Sequence, residues 1–520
     1  MGLTGVSDQT KQPPRSAPKR GTAKYKGKPS GGHRHKGGPR KDAPKGSGKS
    51  RPPQGDRGRA SEPVPGLALR ELAVDLLAAV LHDGRPFDEA WAATLKKPAY
   101  QALEARDRAM ARSIAANALR YARPLEEVLA NFIDKPLPAK QSRVFAILLS
   151  TAAQLLLLKT PPHAAINLAV DQTQKNKKSA HLSKFVNAVL RRVSERGAEL
   201  LAGLDLVRTA YPDWMWQRWE NAYGDETTRA IAAACLNEAA LDISLKDSAD
   251  RTRWAKDIGA SELATGSLRY DKGGRTDELP GFSEGAWWVQ DAAAALPVQL
   301  LGDIAGKTVA DICAAPGGKT AQLAAAGATV TAVDISAGRL RRVRENLERL
   351  GLSAELVEAD ANEWQPEQSF DAILLDAPCS ATGTIRRHPD ILQLKQPSDI
   401  VVLSELQKRV LDHVAKFVAP GGMLVYCTCS LEPEEGDAQI EAFLQANPDF
   451  ERVPIAPGEA GIEPEWLTAN GDLRTLPCHS PEVVEPAAGL ASKDGGSKTS
   501  SSEGRTGMDG FFACRLVKRS

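Results

Sequence analysis

The sequence predicts a multi-domain chain, an all-α bundle followed by an open, mostly parallel α/β sheet, and three observations carry that prediction. Apolar residues recur at three- and four-residue steps from about 66 to 198, with no strand signal between them. From about 286, short β-branched runs alternate with helical stretches. The first of those runs ends in a small-residue and glycine turn that opens a helix, "DICAAPGGKT" (Asp311 to Thr320).

Each segment follows from its composition. Residues 1–60 hold 16 Lys and Arg against 3 Asp and Glu, a net +13 against +2 for the whole chain, which leaves −11 for the other 460 residues. Rich in Gly and Pro with little to bury, residues 1–62 are expected to be a disordered basic tail, and a basic arm of this kind suits RNA phosphates. In the bundle, residues 66–198, "LALRELAVDLLAAVLHDGRP" sets Leu69, Leu72, Leu76 and Val80 on one face and stops at Gly84 and Pro86. Residues 200–285 read as a connector, with a Trp-rich helix "YPDWMWQRWENAYG" (Tyr211 to Gly224) packed between domains and a small α+β element after it. Residues 286–520 read as the sheet domain, interrupted at 483–507 by a Ser/Gly-rich insertion expected to be flexible.

Composition excludes several classes. No apolar run reaches the ~18 residues of a membrane span, and the basic N-terminus lacks an apolar core, so no secretory signal is read. Seven cysteines, an odd number over 520 residues, argue against a disulfide framework and for a reducing cytoplasm.

The chemistry gathers at the strand ends. Beyond the glycine turn, the second strand of the sheet ends in Asp334, the third in Asp360 and the fourth in Asp376. Ligands of such sheets bind beyond the carboxyl ends of the strands, and three carboxylates in register there suit a nucleoside-type cofactor. The glycine spacing is not G-x-G-x-x-G, which disfavours a nicotinamide enzyme. Two apolar runs also end in thiols, "LLDAPCSATGT" with Cys379 and "VYCTCS" with Cys427 and Cys429. Zinc held by these three and His388 is disfavoured, because C-x-C is not the usual knuckle. A Cys427–Cys429 redox pair is disfavoured because that motif is C-x-x-C.

Two resemblances sharpen this reading. "DRAMARSIAANALRY" (Asp107 to Tyr121), "PPHAAINLAVDQTQ" (Pro161 to Gln174) and "KFVNAVLRRV" (Lys184 to Val193) look like the NusB fold, an all-helical RNA-binding domain. It implies RNA contacts from basic helix faces, with Lys184, Arg191 and Arg192 as candidates beside Lys175, Lys177 and Lys178. "CAAPGGKT", "DAPCSATGT" and "YCTCSLEPEEG" resemble the Sun/Fmu family of S-adenosylmethionine-dependent RNA cytosine-5 methyltransferases. "EGAWWVQDAAAAL" (Glu284 to Leu296) and "LRTLP…MDGFFACRL" (Leu473 to Leu516) match its flanking blocks, and the NusB-like front points to the small-subunit ribosomal RNA branch.

That resemblance implies a class I, Rossmann-like methyltransferase domain and a division of labour. S-adenosylmethionine is expected to contact Cys313, Ala314, Ala315, Pro316, Gly317, Gly318 and Lys319, then Asp334, Asp360 and Asp376. Cys429 is expected to be the nucleophile and Cys379 to assist product release, with Asp376 on the polar edge of the cytosine and Cys427 only packing. Carbon 5 of cytosine needs such covalent help, because a thiolate on carbon 6 makes its neighbour enamine-like. "TGTIRRHPD" (Thr382 to Asp390) is expected at the pocket mouth, with Arg386, Arg387 and His388 on phosphates. The expected partner is small-subunit ribosomal RNA, bound by a monomer with no membrane and no metal. One alternative is a transfer-RNA substrate; another is a non-catalytic assembly factor, and the retained thiols and carboxylates argue against the latter. The segment "LDISLKD" (Leu241 to Asp247) lacks an Arg that relatives carry, which leaves RNA contacts by the connector in doubt.

Overall fold

The computed structural model describes residues 64–484 and 506–520, so the basic tail and most of the 483–507 insertion lie outside the described residues. Eight helices between Leu67 and Ala202 form the first layer. The longest are Leu67–Leu81, Ala105–Arg120, Ser142–Leu156 and Ser183–Ala202, closing on one apolar core that includes Leu72, Leu76, Ile114, Leu148 and Leu190. The last helix runs past the expected end at 198. Gly197 does not stop it, because a Cβ there would stand 3.0 Å from Leu156 Cδ2, so the glycine serves close helix packing.

Among the described residues, thirteen strands follow in chain order. They are β1 Leu241–Leu245, β2 Ser261–Leu263, β3 Leu268–Tyr270, β4 Trp287–Val289, β5 Thr308–Ile312, β6 Thr329–Asp334 and β7 Glu355–Glu358. Then come β8 Phe370–Asp376, β9 Val418–Thr428, β10 Phe450–Arg452, β11 Leu473–Thr475, β12 Val483–Val484 and β13 Phe511–Lys518. A small antiparallel sheet runs β12-β2-β3-β1-β4 and the main sheet runs β10-β13-β9-β8-β5-β6-β7. The small sheet thus reaches past 285, since Trp287 packs beside Trp254 and Ile243 in its own core. It also captures Val483 and Val484, the first residues of the insertion. Within it Asp242, on the segment that lacks the Arg of relatives, pairs with Arg269 through two 2.8 Å bonds.

In the main sheet β7, β6, β5, β8 and β9 are parallel, and β13 returns antiparallel beside β9. Both faces are covered, as the unbroken apolar runs Ile373–Leu375 and Leu424–Tyr426 require. The Trp-rich stretch forms helix Asp213–Tyr223, and its Trp216 and Trp219 are buried with Ile385, Ile391, Leu392 and Leu431 of the sheet domain. Bundle, connector and sheet domain meet at the thiol end of the sheet.

Candidate active site

The cofactor end is built locally. After β5 the chain turns through Cys313 (φ 62°) and Gly317 (φ 100°), the latter tight against Val343, before helix Gly318–Ala325. No side chain caps that helix, whereas Ser336 caps the next one, so its first-turn N–H groups remain available to a ligand. Asp334 closes β6 with its carboxylate accepting from the backbone N–H groups of Ala315 (3.2 Å) and Ser336 (2.9 Å) and from Arg339. Asp360 lies two residues past β7 rather than at its end; the Asn362 backbone and side-chain N–H groups hold its carboxyl below the usual range. Ile335, which sequence reasoning passed over, is 62% exposed, an apolar surface beside Asp334. Burial pushes the Cys313 thiol up to about 12.

The thiol end depends on sheet register. β8 and β9 are parallel with Asp376 opposite Cys427, which sets the loop carrying Cys379 beside the one carrying Cys429. Their sulfurs are 3.5 Å apart. The Gly383 N–H donates to the Cys429 carbonyl (3.0 Å), and a Cβ on Gly383 would strike the Gly510 carbonyl at 2.0 Å. Beneath the thiols, Lys319 donates to Asp376 at 2.8 Å. Burial opposes the lysine charge, but Asp376, with smaller contributions from Cys427 and Cys429, outweighs it and holds the ammonium above the ordinary lysine range. The fully buried Cys427 thiol lies 3.6 Å from Asp376 Oδ1, and burial, then the Asp376 charge, pushes it up. Cys379 is raised by its shared hydrogen bond with Cys429, by burial and by nearby Glu435.

The expected basic mouth is a correction. Arg386 is only 2% exposed, bonded to Asp291 (3.0 Å) with Asp509 at 3.6 Å, so it neutralises two buried carboxylates instead of facing phosphate. His388 lies against Asp88, Asp390 accepts from the Phe87 N–H (2.9 Å), and Arg120 donates to the Arg386 carbonyl (2.8 Å). Segment 382–390 is therefore a seam to the helical domain. Arg387 and His388 stay partly exposed, Arg387 with its Nε bonded to Asp509 (2.8 Å) and with Cys429 among the groups that support its charge. In the helical domain, Lys175, Lys177, Lys178, Lys184, Arg191 and Arg192 are exposed.

Several buried acids escaped sequence reasoning. Asp291 and Asp509 stood inside the quoted flanking blocks, and their pairing with Arg386 explains why the blocks go together. Glu432 receives Arg218 Nε (2.6 Å) and Trp219 Nε1 (3.1 Å) from the connector helix. Glu435, in "LEPEEG", is wholly buried. Among the described residues no cluster of three or more His, Cys, Asp or Glu is arranged to hold a metal ion, and no helix is long and apolar enough to cross a membrane.

A parallel sheet with a glycine turn after β5, acidic residues at successive strand ends and an antiparallel β13 is the Rossmann-like class I methyltransferase architecture. A family model described as "16S rRNA methyltransferase RsmB/F" matches residues 298–482, and one described as "NusB family" matches residues 67–195. The chain is 40% identical over 414 residues to ribosomal RNA small subunit methyltransferase B of Pseudomonas putida, covering 76% of this chain and 92% of that one. Against the protein of the same name from Cronobacter sakazakii it is 36% identical over 468 residues, covering 87% and 99%. The chain belongs to the ribosomal RNA small subunit methyltransferase B family. The crystal structure of PH0851 shares the fold, with a TM-score of 0.66 at 22% identity over 88% of this chain and 99% of that one.

Proposed function

We propose that the protein methylates carbon 5 of a cytosine in small-subunit (16S) ribosomal RNA, using S-adenosylmethionine and a covalent bond between Cys429 and the base. The observation that carries this reading is the pair of thiols 3.5 Å apart above the Lys319–Asp376 ion pair, at the carboxyl ends of two adjacent parallel strands. Family membership supports the RNA target.

The residues present fit the cofactor. The uncapped helix start at Gly318, the turn Cys313–Lys319, the carboxylates Asp334 and Asp360 and the exposed Ile335 would hold an amino acid, a ribose and an aromatic ring. When bound there, S-adenosylmethionine supplies an electrophilic methyl group.

The chain's own groups do the rest. The target base must leave its stack to reach sulfurs set this deep. The Cys429 thiolate adds to carbon 6, which turns carbon 5 into a nucleophile. Asp376, anchored by Lys319, accepts from the amino group and from the ring nitrogen once that nitrogen is protonated, so the adduct does not keep its negative charge. After alkylation a base takes the carbon-5 proton, the bond to Cys429 breaks, and Cys379 assists that departure. Bisulfite sequencing of ribosomal RNA from cells with and without the gene tests the reading: one protected small-subunit cytosine should lose protection in the deletion. Unchanged protection everywhere on that RNA refutes it.

A further inference from the structure

Glu435 occupies an unusual position. It lies on the short turn Pro433–Glu435 after β9, with no exposed surface. Its Oε1 accepts from the Ser380 N–H (2.9 Å) and from Gln407 Nε2 (3.0 Å). Its Oε2 accepts from the Ser430 hydroxyl (2.5 Å) and from the Ser380 hydroxyl. Ser380 directly follows Cys379 and Ser430 directly follows Cys429, and the two serine oxygens are 3.0 Å apart. The Glu435 backbone carbonyl also accepts from the hydroxyls of Tyr426 (2.9 Å) and Thr428 (3.1 Å), on the strand that delivers Cys429. One buried carboxylate thus ties together both thiol loops.

The charges around the thiols are divided. Cys379 faces the Glu435 carboxylate and the Tyr426 hydroxyl, besides Cys429 itself. On the other side of the pair lie two cations already held by carboxylates, Lys319 by Asp376 and Arg387 by Asp509, and Cys429 is among the groups that support their charge. Two sulfurs at hydrogen-bond distance share protons, and a single remaining proton settles on the one beside the negative charge.

We propose that Glu435 is a positioning residue that sets the roles of the two thiols, fixing their loops side by side and keeping the shared proton on Cys379 so that Cys429 is the thiolate. The proposal rests on the methyltransferase reading for its purpose. In the step proposed, the Cys429 S–H bond breaks and its proton leaves to water. The Cys379 S–H bond stays intact and donates a hydrogen bond to the Cys429 sulfur, so the pair carries one proton and one negative charge.

The test uses the full chain without RNA or cofactor, with iodoacetamide as the probe and peptide mass spectrometry to time alkylation of each thiol from pH 6.5 to 8.5. Alkylation tracks the thiolate, so in the native protein Cys429 should react ~10-fold or more faster than Cys379. In Glu435→Gln the ratio should fall toward one, and kcat for methyl transfer should fall ~10-fold or more while KM for RNA holds. Ser430→Ala, which removes one bond but leaves the charge, should lower kcat and keep the alkylation ratio. An unchanged ratio in Glu435→Gln, a collapsed ratio in Ser430→Ala, or faster reaction at Cys379 in the native protein each overturns the proposal. Should Glu435→Gln not fold, the native protein and Ser430→Ala decide. Because alkylation needs no RNA, a chain that shows the native preference yet methylates nothing refutes the functional reading and leaves this one standing.

Discussion

The two ends of the active site are built in different ways. At the cofactor end, between β5 and β7, the strand-end carboxylates find their partners close by in the chain: Asp334 in Ser336, Ala315 and Arg339, and Asp360 in Asn362. At the thiol end the partners are far apart in sequence. Phe87 bonds Asp390 across 303 positions, Asp509 bonds Asp291 across 218, and Trp219 bonds Glu432 across 213. A small ligand needs only a turn and a few strand tips, which one sheet supplies. The thiols, which on the proposed mechanism must meet a base from a large RNA, are held by the bundle, the connector and the last strand together. Any disturbance of domain docking should therefore reach the thiols before it reaches the cofactor cradle.

The largest expected effect separates the ends most cleanly. Cys429→Ala should lower methyl transfer by roughly 10³-fold or more, as removal of a nucleophile does, while calorimetry shows S-adenosylmethionine binding unchanged. Next in size is a loss of stability. Arg386→Ala leaves Asp291 and Asp509 buried without their shared cation and should cost about 3–5 kcal/mol in chemical denaturation. Asp360→Ala at the other end should alter stability by about 0.5 kcal/mol or less and instead weaken cofactor binding. Equal stability losses in the two variants would erase the contrast between the ends.

A smaller effect tests the floor of the cofactor end. Burial raises the Asp311 carboxyl to about 7, with Thr320 its hydrogen-bond partner and its Oδ1 unpaired. An acid whose folded pKa is raised makes stability fall as pH climbs from its unfolded value near 4 to about 7 and level off above that. Asp311→Asn removes this slope, so relative to the native protein it should melt higher at pH 8 than at pH 5.5. A difference that is the same at both values would show that Asp311 is ionised in the fold.

This contrast also governs what could be read from the sequence. The glycine turn and the carboxylates Asp334 and Asp376 at the ends of their strands were legible, because each depends on local pattern, whereas Asp360 falls two residues beyond its strand. Arg386 was misread as a surface group, since "IRRHPD" looks like any basic turn until Asp291 and Asp509 are seen to enclose it. Asp390 and His388 gave no sign that a helix some 300 residues earlier would cover them. Glu435 was quoted within a motif but carried no local signal, because its four donors come from three separate segments. Gly197 gave no local sign of its role, a close packing contact that only the neighbouring Leu156 reveals.

The most direct measurement is the covalent link itself. Purified protein incubated with S-adenosylmethionine and unmodified small-subunit ribosomal RNA should give a denaturation-resistant protein–RNA complex that accumulates in Cys379→Ala, is absent in Cys429→Ala, and maps by mass spectrometry to Cys429. Methylation by a chain lacking Cys429, or a linkage mapped to Cys379, would contradict the mechanism.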